Sequence, residues 1–299
     1  MSGTQGSVSW KQLVGEASQV LSSQLGGDRT QEAKWIVERV SGFNPAELIV
    51  HGSESVSSRG VAFFDQLIAR RSAGEPLQYV LGRWMFRQLE LIVDQRVLIP
   101  RPETEVVAGH GIDHLQTYDR EVRACDLGCG SGAIGLSIAF EVPHARVWMA
   151  DVSSDALDVT RANLAGLGRP SARVSVHQGS WFDALPSDLR GSLDLIISNP
   201  PYVSPDETLP REVADFEPHV ALFSESSGTV PGDAFLTHIV DQAPAWLAPN
   251  GALILEMSPP QTAPVAQRCR RLGFETRVEL DMAGRARSVI AVMRARSAC

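Results

Sequence analysis

Along the first 75 residues the apolar positions recur every three or four, as on one face of a helix. Leu13, Val14, Ala17, Val20 and Leu21 form one such face, which Ser9 can cap and Gly26-Gly27 ends. Thr30 can cap a second helix, with Ala33, Ile36, Val37 and Val40 turned inward. Asn44-Pro45 gives an N-cap followed by a proline in the first helical position, and opens a short third helix to about Val50. A fourth, about Arg59 to Arg71, carries Val61, Phe64, Leu67 and Ile68 and stops at Gly74. Residues 1–75 therefore read as a small helical domain. It holds no catalytic cluster and suits a cap or a module that docks a substrate.

The period changes between residues 76 and 100. Gln78-Tyr79-Val80-Leu81, then Trp84-Met85-Phe86, then Leu89 to Val93 in partial alternation read as a β-hairpin or short strands linking two domains. Pro100-Arg101-Pro102-Glu103-Thr104-Glu105 follows, a proline-rich turn opening a helix with acidic residues in its first turn, as the helix dipole favours.

Residues 101–299 then alternate strand and helix. Strands are expected at Val122 to Leu127, Arg146 to Ala150, Arg173 to His177, Leu193 to Ser198, Ala252 to Met257, Glu275 to Leu280 and Ser288 to Arg294. Helices are expected at about Ala133 to Phe140, after a Ser154 cap, at about Asp233 to Trp246 and at about Thr262 to Leu272. Ser258-Pro259-Pro260-Gln261 reads as a loop. Such alternation predicts an α/β, doubly wound, Rossmann-like sheet.

Composition changes the picture only at the margins. The chain has 299 residues, 43% hydrophobic and 21% charged, as an ordinary globular protein has. No window approaches the roughly 18 unbroken apolar residues of a membrane span, and the N-terminus has no signal or transit pattern, so no membrane partner and a cytoplasmic location are expected. Cys125, Cys129, Cys269 and Cys299 have no paired spacing; reduced thiols, and no metal, are expected. The net charge of −8 argues against direct nucleic-acid binding, which leans on phosphate neutralisation.

Two stretches carry chemistry. Asp126-Leu127-Gly128-Cys129-Gly130-Ser131-Gly132 lies at a strand-to-helix turn, where glycines let the backbone approach a ligand. Gly130 to Gly135 also match GxGxxG literally, with Asp151 about 20 residues on, so a nicotinamide dinucleotide has to be weighed. Asp151 suits any ribose, because a carboxylate accepts from two hydroxyls. Trp181 can wall an adenine slot. The second stretch, Asn199-Pro200-Pro201-Tyr202, ends an apolar run at the carboxyl end of a strand, where open α/β sheets bind ligands. Its prolines donate nothing, so it offers acceptors to a planar NH2 group.

The Asp126 to Gly132 turn resembles the donor-binding turn of the S-adenosylmethionine-dependent methyltransferases more than a pyrophosphate turn. Together with Asp151, Trp181 and Asn199-Pro200-Pro201-Tyr202, it resembles that of the protein N5-glutamine methyltransferases. Pro100 to Glu105, Phe216-Glu217-Pro218, Glu256 with Gln261, and Ala283-Gly284-Arg285 extend the likeness over nearly the whole chain. The resemblance implies a seven-stranded sheet with one antiparallel strand near its carboxyl end. It implies S-adenosyl-L-methionine as cofactor, with Gly128, Cys129, Gly130, Ser131 and Gly132 under its methionyl part. Asp151 is implied at the ribose, Trp181 at the adenine, and Asn199 beside the reacting methyl. Asn199, Pro200, Pro201 and Tyr202 are implied to hold the target amide, with Asn199, Pro200 and Tyr202 as the catalytic set. The implied acceptor is the glutamine of the Gly-Gly-Gln motif of class 1 peptide chain release factors. A ribosomal-protein glutamine and an adenine-N6 DNA methyltransferase are the alternatives. The latter needs base-reading and basic residues that are not evident here. Ser180 and Ser258 depart from the usual family pattern.

Overall fold

The computed structural model describes residues 8–228 and 230–294. Cys299 lies outside them. Two compact units divide the chain: Met1–Arg83 with Pro210–Phe216, and Trp84–Leu209 with Glu217–Cys299.

The first unit begins with α1 (Trp10–Leu25), α2 (Thr30–Ser41), α3 (Pro45–His51), α4 (Ser58–Ser72) and α5 (Leu77–Leu81). Its core takes most of the positions the 3.6-residue period picks out: Leu13, Ala17 and Leu21 from α1, Ala33, Ile36 and Val37 from α2, Phe64, Leu67 and Ile68 from α4; Val14, Val20, Val40 and Val61, at the margins of these faces, are only half-buried. Ser9 caps α1 in a reciprocal box with Gln12, and Asn44 caps α3 with Glu47. Thr30 is not a cap but the first helical residue; Asp28 Oδ1 accepts its N–H at 2.9 Å. The Gln78–Leu81 run is helical rather than extended. Pro76 precedes it, Gly82 closes it in the left-handed region, and Leu77, Tyr79, Val80 and Leu81 are all buried. A short run in which all residues but Gln78 are buried carries no clear period, which is why the sequence pattern misreads it.

The second unit opens with the hairpin β1 (Arg83–Phe86) and β2 (Leu89–Ile92), then α6 (Pro102–Gln116). The sheet follows as β3 (Val122–Leu127), α7 (Ala133–Glu141), β4 (Ala145–Asp151), α8 (Ser154–Gly166), β5 (Val174–Gln178) and β6 (Leu193–Ser198). One turn of helix, α9 (Arg211–Ala214), lies in the excursion that belongs to the first unit. There Glu212 meets the buried Arg71 guanidinium at 3.0 Å, which also donates to Glu32 at 2.7 Å. The second unit closes with α10 (Ala234–Gln242), β7 (Leu247–Glu256), α11 (Pro259–Arg271), β8 (Phe274–Leu280) and β9 (Ala286–Met293). Ser153, not Ser154, caps α8. Ser258 to Gln261 is not a loop but the start of α11: both prolines sit in its first turn, where their missing N–H groups cost nothing, and Ser258 is the N-cap.

The seven strands run in the order β5-β4-β3-β6-β7-β9-β8. All pairings from β5 to β7 are parallel, and β9 runs antiparallel to both its neighbours. The described sheet thus has the single reversed strand that was expected. The strand order turns back between β3 and β6. That is the switch point of a doubly wound sheet, where the connections leave toward opposite faces and open a crevice at the carboxyl ends. Every residue of β6 is buried, as is fitting for a central parallel strand. Burying Leu193, Leu195, Ile196 and Ile197 stabilises the fold by about 1.5–3 kcal/mol each as an upper estimate. The two central strands therefore fix where the chain's two chemical turns emerge: the glycine turn from β3, the proline turn from β6.

Candidate functional site

The glycine turn is stitched to the neighbouring strand. Gly128 and Cys129 both donate their N–H to the Ala150 carbonyl, at 2.8 and 3.0 Å. Gly130 has φ +55°, and a Cβ there would meet nothing within 4 Å; the backbone conformation alone calls for glycine. Gly132, at φ +85°, is different, since a Cβ would strike Leu136 and Met149 at 2.9 and 3.0 Å. Gly135 is tighter still, with Met149 Cγ 2.7 Å from its would-be Cβ. The literal GxGxxG match is thus accounted for partly by packing α7 against β4. Asp126 sits beneath the turn, 1% exposed, and its Oδ2 accepts from Gly135 N–H at 2.8 Å. Burial, offset in part by that hydrogen bond, pushes its carboxyl up to about 7.

Asp151 ends β4. Its Oδ2 accepts from Gly130 N–H and its Oδ1 from Ser153 N–H, both at 2.9 Å. The carboxylate thereby holds the glycine turn and keeps lone pairs to spare. Burial raises its pKa, and the backbone hydrogen bonds pull it back. Trp181 follows β5 with φ +47°, a conformation that costs a non-glycine residue of order 1–2 kcal/mol. The outlier sets the indole against Gly128, whose Cβ would lie 3.5 Å from it, and 5.1 Å from the Phe235 ring between centroids.

The proline turn is anchored from three sides. Ser198 Oγ donates to Leu127 O at 2.6 Å, joining the ends of β6 and β3. Gln261, 1% exposed on α11, donates Nε2 to Tyr202 O at 3.0 Å and to Pro231 O at 2.8 Å, and takes Ser258 N–H on Oε1 at 3.1 Å. Gly232 lies against the same carbonyl, which a Cβ would meet at 2.3 Å. Asn199 donates Nδ2 to Thr104 Oγ1 at 3.2 Å. Among the described residues no hydrogen bond reaches the Pro200 carbonyl. Tyr202 points its hydroxyl at Glu256 Oε1, 3.4 Å away, and burial with that carboxylate drives its pKa well up.

Residues 128–131, Asp151, Trp181, Asn199 and Pro201 line one cleft, which is mostly apolar. Gly132, Pro200 and Tyr202 do not line it. Glycine and Tyr202 serve it from behind, by packing and by anchoring. The sequence pattern did not pick out Val152, Val220 and Phe235 on its walls, or the Val97–Leu98 segment beneath. None carries a signal: each is one more apolar residue in an apolar chain. The loop before α6 is held by the buried Glu217, which accepts from Ile99 N–H at 3.2 Å and from Arg101.

A carboxylate at a strand end, an apolar slot between Trp181, Val152 and Phe235, and a glycine turn between that carboxylate and Asn199 fit a ligand with a diol, a planar ring and a polar tail. S-adenosylmethionine has these parts, with the diol between the ring and the tail. Among the described residues no cluster of three metal-ligating side chains occurs, and no helix is long and apolar enough to cross a membrane. Cys125, Cys129 and Cys269 are buried free thiols.

Comparison with known proteins matches residues 112–216 to the family described as Methyltransferase small domain, and residues 12–82 to the PrmC N-terminal domain. The chain is 38% identical over 255 residues to a release factor glutamine methyltransferase of Bordetella pertussis, covering 85% of this chain and 91% of that protein. It is 35% identical to the protein of the same name from Bifidobacterium longum, over 94% of this chain and 99% of the other. A methyltransferase from Pyrococcus furiosus has a solved structure with a TM-score of 0.50 at 17% identity, covering 80% of this chain and 100% of that one, a likeness of fold.

Proposed function

The chain belongs to the release factor glutamine methyltransferases, and we propose that its second unit carries out their reaction on the glutamine of the Gly-Gly-Gln motif of class 1 peptide chain release factors. The cofactor is S-adenosyl-L-methionine, whose sulfonium supplies a methyl group of intrinsic reactivity. The chain supplies position. Asp151 holds the ribose hydroxyls. Trp181, with Val152 and Phe235, flanks the adenine. Residues 128–131, backed by Gly132, would hold the methionyl part on the side of the cleft that Asn199 lines.

A carboxamide nitrogen is a poor nucleophile, because its lone pair is delocalised into the carbonyl. It carries two N–H groups. Asn199 Oδ1 takes one, because Nδ2 is committed to Thr104; the free Pro200 carbonyl takes the other. With both hydrogens fixed, the nitrogen turns the face bearing its lone pair toward the methyl. Near-attack positioning of this kind can lower a barrier by roughly 7–11 kcal/mol. The N–C bond forms as the S–C bond breaks, and the methylated amide then loses a proton to solvent, so no general base is assigned. Pro201 stiffens the turn, and Tyr202 supports it through its backbone and its hydroxyl.

The observation that carries this reading is Asn199: a half-buried amide at the switch point, tied back by its nitrogen and offering oxygen beside a donor-shaped cleft. A protein acceptor is favoured over nucleic acid by the net charge of −8. The reaction belongs in the cytoplasm, with translation. The test is incubation with labelled donor and release factors bearing Gln or Ala in the Gly-Gly-Gln motif. Label in the Gln factor alone is expected; label in both, or in DNA only, overturns the acceptor.

A further inference from the structure

Behind Asn199 stand two buried side chains, Thr104, which ties back its nitrogen, and Glu256, which lies beyond Thr104. Thr104, third residue of α6, donates Oγ1–H to Glu256 Oε2 at 2.7 Å. The same oxygen meets Asn199 Nδ2 at 3.2 Å. Both side chains are nearly inaccessible, at 4% and 2% exposed. A hydroxyl has one proton and two lone pairs. Once the proton is given to Glu256, Thr104 has only lone pairs to show Asn199, and only the NH2 end of the amide satisfies them. Oδ1 is then forced to the other side.

Resting on the acceptor role proposed for Asn199, we propose that Thr104 and Glu256 are positioning residues: the Glu256 carboxylate sets the direction of the Thr104 hydroxyl, and the hydroxyl sets which end of the Asn199 amide faces the substrate glutamine. The need for such a device follows from the side chain itself. The two ends of an asparagine amide have nearly the same shape, so packing alone does not choose between them. Facing a substrate NH2, the oxygen end accepts and the nitrogen end opposes donor with donor. A protonated Glu256 can reverse the chain of bonds: its O–H donates to Thr104, Thr104 donates to Asn199 Oδ1, and the Asn199 NH2 turns to the site.

The groups around Glu256 bear on which form prevails. Thr104 and Glu103 face it from α6, Tyr202 from the proline turn, and Arg287 from β9, itself 3.7 Å from Asp281. Burial raises the Glu256 carboxyl and Glu103 adds to this, against the Thr104 and Tyr202 hydrogen bonds and Arg287, leaving it at about 7. The carboxylate form, which orients Asn199 for transfer, gains as pH rises through that value.

The experiment uses the full chain, a release factor acceptor and separate measurement of donor binding. Thr104→Val, of similar shape, is expected to lower kcat by up to about 100-fold while donor affinity stays; Thr104→Ser restores most of the rate. Wild-type kcat rises with pH through about 7, and this limb is lost in Glu256→Gln. Unchanged kcat in Thr104→Val, no rescue by Thr104→Ser, or an unaltered limb in Glu256→Gln overturns the proposal. A second readout needs no acceptor: the Asn199 side-chain amide resonances, followed by 15N NMR, shift with one midpoint near pH 7 in wild type and not in Glu256→Gln. Wild type inactive on every release factor would sink the functional reading, and the resonances would still decide this one.

Discussion

Gln261 reaches across from α11 to the carbonyl of Tyr202, 59 positions earlier in the chain, and holds it at 3.0 Å. The proline turn at the end of one strand is thus clamped by the helix that follows the next. Three of the Gln261 amide's hydrogen-bonding sites are used, all on backbone groups.

Replacing Gln261 by Leu keeps its bulk and removes the clamp. The Tyr202 and Pro231 carbonyls lose a buried partner, at about 1–3 kcal/mol for each left unsatisfied. The expected result is a lowered unfolding free energy in urea and a reduced kcat, with donor affinity close to wild type. A stable variant with normal turnover would show that the turn is rigid without help from α11.

Asn199→Ala removes the proposed acceptor for one amide hydrogen and, of the residues lining the cleft, changes only this one, leaving residues 128–131, Asp151 and Trp181 in place. Turnover is expected to fall by at least about 100-fold, the scale of misplaced reacting atoms. Calorimetric titration with the donor is expected to give near wild-type affinity. Normal turnover by this variant is the outcome the acceptor-turn account does not survive.

Asp151→Ala has the opposite signature. It takes away the partner of the Gly130 and Ser153 N–H groups together with the contact proposed for the ribose. Hydrogen bonds to a charged group contribute about 1.5–3 kcal/mol, or roughly 10- to 150-fold in affinity. Donor binding should weaken by that order; a variant that binds the donor as tightly as wild type removes Asp151 from the site.

Some of this was legible in the sequence and some could not be. The glycine turn, Asp151 and Asn199-Pro200-Pro201-Tyr202 could be read because backbone conformation dictates glycine and proline locally. The sheet was legible because β3, β6 and β7 are apolar runs between breakers. Gln78–Leu81 reads as extended because a short helix with four of its five residues buried shows neither period. Ser258 to Gln261 was misread because prolines announce a loop and the first turn of a helix alike. Thr104, Glu256 and Gln261 could be noticed as family residues, but their work is spatial. Thr104 meets Glu256 from 152 positions away, and no local pattern encodes that pairing.

Asp126 predicts a pH dependence of stability. Its folded pKa, about 7, lies above the ordinary 3.8, so the folded state keeps a proton that the unfolded chain has released. Stability from this group is therefore largest at low pH, declines between those two values and is level above about 7. Glu256, also near 7, adds the same sign. Asp126→Asn retains an acceptor for Gly135 N–H and cannot ionise. Its urea stability should gain on wild type as pH rises through this window, by up to about 1.4 kcal/mol per pH unit. Parallel stability curves for the two proteins would contradict the buried, raised carboxyl.

The central claim is that Asn199 and Pro200 present a glutamine nitrogen to the methyl donor. The most direct measurement is fragment mass spectrometry of a class 1 release factor after incubation with this protein and S-adenosylmethionine, locating the added methyl. A single methyl on the side-chain nitrogen of the Gly-Gly-Gln glutamine, absent when Asn199→Ala replaces wild type, is the predicted result. A methyl on any other residue, or the same methyl made equally well by Asn199→Ala, would contradict it.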